Sequence, residues 1–243
     1  MRLARVLVIP LIAAVLLASA AVPAAAQTWV SLRYWPTNVN TSLSGGAAIR
    51  TWDAGMISVG LRRDLPGNWA VSFNGDWGSQ GNWAGSWAVP VTATSGRDSM
   101  WNFNLHRNFP TAAGSFSVFA GYESAGWSSV FPGVVAAQTG RYTGFRGGVD
   151  LRHQTGAWTI MAWGATGLGG TWSIDWPGVS PTPESTSGSY SEFGATVGYM
   201  LPGGWNIDLG YRQVQISGGA TTTFLATQNR WQGVLFGVSR AFP

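Results

Sequence analysis

The chain has no cysteine. That excludes disulfides, thiol nucleophiles, cysteine-based metal sites and a lipid anchor on an amino-terminal cysteine. It has no lysine either: all 14 basic residues are arginine. Only 10% of its 243 residues are charged, against about 25% in an ordinary soluble domain. Water-soluble proteins cover themselves with mixed charge, and this chain has too little to do so. Its arginines are scattered singly, and two of the four excess positive charges are Arg2 and Arg5. Without a basic stripe, no nucleic-acid partner is expected. Past residue 26 there is no apolar run of the roughly 18–20 residues that a membrane helix needs.

What the chain does have is 34 Gly, 15 Trp and 45% hydrophobic residues. It opens "MRLARVLVIPLIAAVLLASAAVPAAAQ": a basic start, an apolar run from Val6 to Ala18, then Ala24-Ala25-Ala26. A signal peptide over residues 1–26, cleaved before Gln27, is expected, with an uncleaved membrane helix as the alternative. Residues 27–243 form the mature domain.

In that domain the hydrophobic period is two, the period of strands. Alternate apolar residues recur in ten sets: Val30–Tyr34, Ile57–Leu61, Trp69–Phe73, Trp101–Leu105, Phe116–Tyr122, Phe145–Leu151, Trp158–Ala162, Phe193–Leu201, Trp205–Tyr211 and Val234–Val238. Tight turns ("RDLPGN", "NFPTAAG", "HQTG", "LPGG") alternate with longer Gly/Ser/Thr/Pro-rich connections such as residues 78–98 and 167–189. An all-β, closed, antiparallel up-and-down transmembrane barrel follows, of ten strands with eight as the alternative, its short turns periplasmic and its long loops extracellular.

The apolar face carries aromatics at both ends, as the two bilayer interfaces require. Trp69, Phe109, Phe116, Trp158, Trp205 and Phe242 lie near the short turns; Tyr34, Trp101, Tyr122, Phe193 and Tyr211 lie toward the loops. Arg63, Arg107 and Arg240 share the outward parity of Leu65, Phe109 and Phe242, two residues before each. These are the expected interface anchors. The other face places Arg33, Arg62, Arg146 and Arg212 with Asp76, Glu123, Asp150, Glu192, Asp208 and His106 in the lumen. Charges withdrawn from water must pair, so an ion-pair network is expected there. Trp163, Trp231, Met161 and Leu235 add inward bulk.

With its leader, its amphipathic strands and the ending "VLFGVSRAF", the chain resembles bacterial outer-membrane β-barrels of the small OmpA/OmpX-like kind. The resemblance covers residues 27–243; Pro243 after the last Phe and the ten strands depart from the usual pattern. It implies an outer-membrane location, contact with outer-membrane lipids and lipopolysaccharide, and recognition of the carboxy-terminal strand by the assembly machinery.

No catalytic, cofactor or metal site is expected. Ten strands also suggest omptin-like proteases, but His106 and His153 lie near short turns, a membrane's depth from the extracellular rim where such a base must act, and a lipid-A deacylase would need a histidine on the outer, lipid-facing side, which neither supplies. The acidic lumen residues lie beside arginines, so pairing is the expected use. Two function classes remain: a structural or interaction barrel with a lumen filled by ion-paired side chains, and a narrow passive channel for small polar solutes. Ten strands fall close to the size at which side chains fill a barrel. Trp83, Trp87, Trp127, Trp172 and Trp176 are expected on the long loops, where they could hold an extracellular ligand.

Overall fold

The structure is a computed structural model and describes residues 27–43, 48–80, 83–86, 90–93, 95–112, 114–130, 137–177 and 179–242. Residues 1–26, read above as a signal peptide, lie outside them, as does Pro243. Ten long strands make the wall: β1 (Thr28–Leu43), β2 (Ala48–Leu65), β3 (Trp69–Gln80), β6 (Ser95–Thr111), β7 (Gly114–Val130), β8 (Gln138–Thr155), β9 (Trp158–Asp175), β10 (Glu184–Leu201), β11 (Trp205–Gly218) and β12 (Thr227–Phe242). Two short strands, β4 (Trp83–Ser86) and β5 (Pro90–Ala93), form a hairpin beyond β3. Gly85 of that hairpin pairs with Arg50 of β2.

Each wall strand pairs antiparallel with its neighbour in the chain, and β1 pairs with both β2 and β12. Tyr34 faces Ile57 on one side and Phe236 on the other. The sheet is therefore closed and has no free edge, the condition for a sheet in lipid, where no water satisfies an open backbone. Phe242 lies opposite Thr28, so the carboxy-terminal strand does not fray; it seals the barrel. The tight turns use left-handed backbone where the sequence supplies glycine: φ is 73° at Gly67, and 81° and 76° at Gly203 and Gly204.

Outward residues form the apolar band that the period predicts. Leu32, Ile57, Phe103, Val149, Phe193, Leu209 and Phe236 are all exposed. At the loop side, ring contacts join Trp101 to Tyr122, Tyr122 to Phe145, and Phe193 to Tyr211.

The strands outrun their periodic cores. β8, β9 and β10 each have 18 residues, whereas about 9–11 tilted residues cross a bilayer. Much of what reads as loop is thus sheet: β3 runs to Gln80 and β6 starts at Ser95, while β9 ends only at Asp175. This corrects the placement of Trp127 and Trp172, which are not on loops but buried in β7 and β9. Trp176 is half-buried and stacks on Phe224 with ring centroids 6.1 Å apart. Trp83 lies on β4, and Trp87 lies outside the described residues.

On β9 the register is also irregular. β9 slips against β8 between Gly144 and Arg146, and against β10 between Gly188 and Ser191. Trp163 and Trp172 therefore both face inward although one number is odd and the other even. An extra residue in one strand exchanges the two faces beyond it.

Leu209, 53% exposed, lies between the outward aromatics Trp205 and Tyr211 on β11. Leu209→Arg is expected to lower folding stability in lipid vesicles by about 2–4 kcal/mol, and Leu201→Arg at the rim by no more than about 1 kcal/mol. Urea titrations of refolded variants measure both. Equal costs would contradict a depth-graded apolar band.

Candidate functional site

Inside, five strands contribute one chain of alternating charge. Glu123 of β7 accepts from Arg146 Nη1 of β8 at 2.5 Å, and Arg146 Nη2 reaches Glu192 of β10 at 2.8 Å. Glu192 also accepts from Arg212 Nε of β11 at 2.8 Å, and Arg212 Nη1 reaches Asp76 of β3 at 2.8 Å. All five are buried. Glu192 takes two further bonds, from Trp163 Nε1 at 2.9 Å and Tyr190 OH at 2.6 Å, and Ser58 donates to Asp76. Buried ions require this pairing, because an unpaired charge in the interior is strongly destabilising.

Above this belt, toward the long loops, the filling is apolar. Trp35, Trp52, Met56, Met100, Tyr142, Trp172, Ile216 and Trp231 are each at most 2% exposed. Trp172 fits because glycines face it: a Cβ at Gly218 would lie 2.1 Å from its ring. Arg212 sits 4.6 Å from the Trp35 ring, and Arg146 5.3 Å from that of Tyr190, so the cations of the belt rest on the aromatics of the plug. Asp98 fastens the plug from within, accepting from Trp231 Nε1 at 3.1 Å and from Trp52 Nε1 and Gln80 Nε2 at 3.2 Å. The expected filler was ion-paired side chains; in the long-loop half it is mainly tryptophan and aliphatic residues.

Below the belt lies a polar chamber of about 350 Å³, lined from Gln27, Arg152 and Gln154 at the short-turn rim to Arg146, Glu192 and Arg212 at the belt. The remaining sequence-predicted lumen residues are here. Arg33 Nε meets Asp208 at 3.0 Å; Arg62 lies 3.5 Å from both Asp64 and Asp150 and donates to Asn108 at 2.7 Å. His106 Nδ1 is 3.0 Å from Asp150, and its Nε2 is 2.9 Å from Ser72 Oγ. His153 is instead exposed near the short-turn end of β8. Among the described residues no group of three or more His, Asp or Glu side chains could hold a metal ion.

Ser72, Asn104, Asp98, Arg152 and Trp35 also face the interior, outside the set expected from the sequence. Arg152 has the parity of Arg146 and Asp150, and Asp98 that of His106, so a longer period-two reading reaches both. Arg152 covers the ring of Trp29 at 5.0 Å, at the mouth of the chamber.

No protein-family model matches the sequence, and no curated protein does. Among solved structures, the outer-membrane protease OmpT of Escherichia coli superposes with a TM-score of 0.63 at 11% identity, over 89% of this chain and 96% of that one. Weaker likenesses include the translocator domain of the autotransporter NalP from Neisseria meningitidis (TM-score 0.45, 10% identity, 94% and 92% covered). Another is Ail, the attachment invasion locus protein of Yersinia pestis (0.37, 12%, 89% and 99%).

The fold is that of an outer-membrane β-barrel.

In such a barrel the short-turn aromatics belong at an interface, and their cations sit on them here. Arg107 lies 5.1 Å from the Trp69 ring and donates to Gly67 O. Arg240 lies 5.1 Å from Trp205 and 5.0 Å from Phe242. Phe109 packs on Phe116 at 5.9 Å, and Trp158 meets Tyr199 edge-on at 5.1 Å. Arg63, opposite Thr28 and Val71, has the same outward parity. A guanidinium at this depth keeps its charge in the headgroups while its stem covers apolar surface.

The belt sets a further expectation. Arg146→Glu would gather three anions with Glu123 and Glu192 and lower stability by about 3–5 kcal/mol or more, as for breaking a buried pair. Exposed Arg97, changed to Glu, should cost under about 0.5 kcal/mol. Refolding titrations that gave equal costs would show the belt to be hydrated.

Proposed function

We propose that the protein is an integral outer-membrane barrel of structural or interaction type, with a lumen closed to solute flow. It is not an enzyme acting at the cell surface: neither histidine lies at the long-loop rim. The observation that supports closure is the stack of two seals, the five-residue charge belt beneath the buried tryptophan plug. An ion crossing it would have to displace buried ion pairs and then enter an apolar layer, and both steps carry desolvation costs. The narrow-channel alternative requires a continuous polar path, and the plug interrupts it. Outer-membrane lipids and lipopolysaccharide are the proposed surroundings of the apolar band. The outer rim, with Trp176 half-buried against Phe224, is the surface proposed to meet an extracellular ligand.

Planar-bilayer recording of the refolded protein is expected to show no steady conductance. Trp231→Gly combined with Trp35→Ala, which removes two rings from the plug, should introduce open-channel noise. A stable ohmic step from the unaltered protein would overturn closure and favour the channel.

The carboxy-terminal strand is proposed to be the segment read by the assembly machinery. Phe242 closes the barrel against β1, whereas Phe109 has a comparable interfacial position in mid-chain. Phe242→Asp should therefore lower outer-membrane yield in cells far more than Phe109→Asp. Equal yields would reduce the ending to an interfacial anchor.

A further inference from the structure

The chamber below the belt contains an arrangement that neither closure nor anchoring needs. Ser72 of β3, His106 of β6 and Asp150 of β8 form one hydrogen-bonded line: Ser72 Oγ to His106 Nε2 at 2.9 Å, and His106 Nδ1 to Asp150 Oδ2 at 3.0 Å. All three line the chamber. A hydroxyl, an imidazole and a carboxylate in that order are recognised by geometry and role rather than by sequence position. The carboxylate accepts from Nδ1–H, so Nε2 is left as the acceptor facing the hydroxyl. Asn104 Nδ2 donates to Ser72 Oγ at 3.2 Å, which fixes the orientation of the hydroxyl and leaves its proton directed at His106 Nε2. His106 is 5% exposed and Ser72 8%, so the pair is shielded from bulk water yet borders a space of about 350 Å³.

We propose that Ser72 is a nucleophile acting on small carboxylic esters that enter from the short-turn side, with His106 as its general base and Asp150 as the residue that positions the imidazole. The Ser72 oxygen bonds to the acyl carbon while its proton moves to His106 Nε2 and the carbonyl electron pair shifts to oxygen. Collapse of that intermediate breaks the bond to the leaving alkoxide, which takes the proton from His106. Water, deprotonated by His106 in turn, then releases the carboxylic acid and restores Ser72. The distance of the histidines from the outer rim bears only on substrates arriving from the long-loop side. A solute at Gln27 and Gln154 faces no plug. Arg62 and Arg152, which also line the chamber, favour an ester that carries a negative charge.

The test uses the full barrel refolded in detergent, its folding checked by the heat-dependent gel shift, and a small alkyl fluorophosphonate. That reagent forms a P–O bond to an activated serine as fluoride leaves. Peptide mass spectrometry should find the adduct on Ser72 and on no other serine, and Ser72→Ala should abolish it. His106→Gln should slow labelling at least about a hundred-fold, and Asp150→Asn at least about ten-fold, both with the gel shift intact. Hydrolysis of p-nitrophenyl acetate should fall in the same order. A folded barrel that leaves Ser72 unlabelled, or labels at a rate unaffected by Asp150→Asn, overturns the proposal and makes the three residues a structural network. The result is independent of conductance and of which way the barrel faces.

Discussion

The alternation Glu123, Arg146, Glu192, Arg212, Asp76 is the constraint on which the interior depends. Each carboxylate and guanidinium comes from a different strand, and Glu192 serves both arginines. Removing either arginine leaves a buried carboxylate without its cation, Glu123 in the case of Arg146 and Asp76 in the case of Arg212. The wall must therefore close with β3, β7, β8, β10 and β11 at fixed relative heights. In this way a sheet whose outward face is uniformly apolar, and so weakly specific about register, acquires a register from within.

The belt also divides the lumen into two solvents. Its arginines lie against Trp35 and Tyr190, so the guanidinium faces complete the floor of the apolar plug, and Arg146 also lies over Phe119 at the roof of the chamber. Its carboxylates meanwhile take hydrogen bonds from Ser58 and Trp163 at the head of the chamber. Arginine is suited to such a boundary because its plane stacks on aromatics while its edge binds carboxylates. A lysine has no such plane and could not stack on a ring while bridging two carboxylates along its edge, which gives a physical reason for arginine at positions 146 and 212.

The outward face was legible residue by residue, because lipid selects on one property and the strand period is fixed. Leu32, Tyr34, Ile57, Phe145, Ile207 and Phe236 are exposed as alternation requires. The turns were legible because "LPGG" needs left-handed glycine. The inward face was legible only as membership. Arg146 and Glu192 could be assigned to the lumen, but their contact crosses 46 positions of sequence and depends on barrel diameter and stagger. Trp172 was lost because a register slip reversed its parity. Ser72 was lost for a different reason: in "AVSFN" it is one more small polar residue on an inward face rich in them, and only the third dimension sets it beside His106.

The two halves of the lumen give the molecule a direction. Long strands carry tryptophan above the belt, where the wall extends past the roughly 9–11 residues needed for a bilayer. Below it the wall has no such extension, and Ser, Asn, Gln, Asp, His and Arg side chains share the lining with Phe119, Met161, Trp163 and Leu235. If closure were the sole requirement, the apolar filling could continue to the short turns, since apolar packing of similar volume is often as stable as buried polar networks or more so. Instead the chamber keeps Arg33–Asp208, Arg62–Asp150 and Ser72–His106–Asp150 around open space. A polar cavity with one blind end and one open end is suited to admitting a solute and returning it to the same side. On the proposed closed reading, the plug keeps the chamber from becoming a passage, and a solute that enters it returns to the side on which the short turns lie.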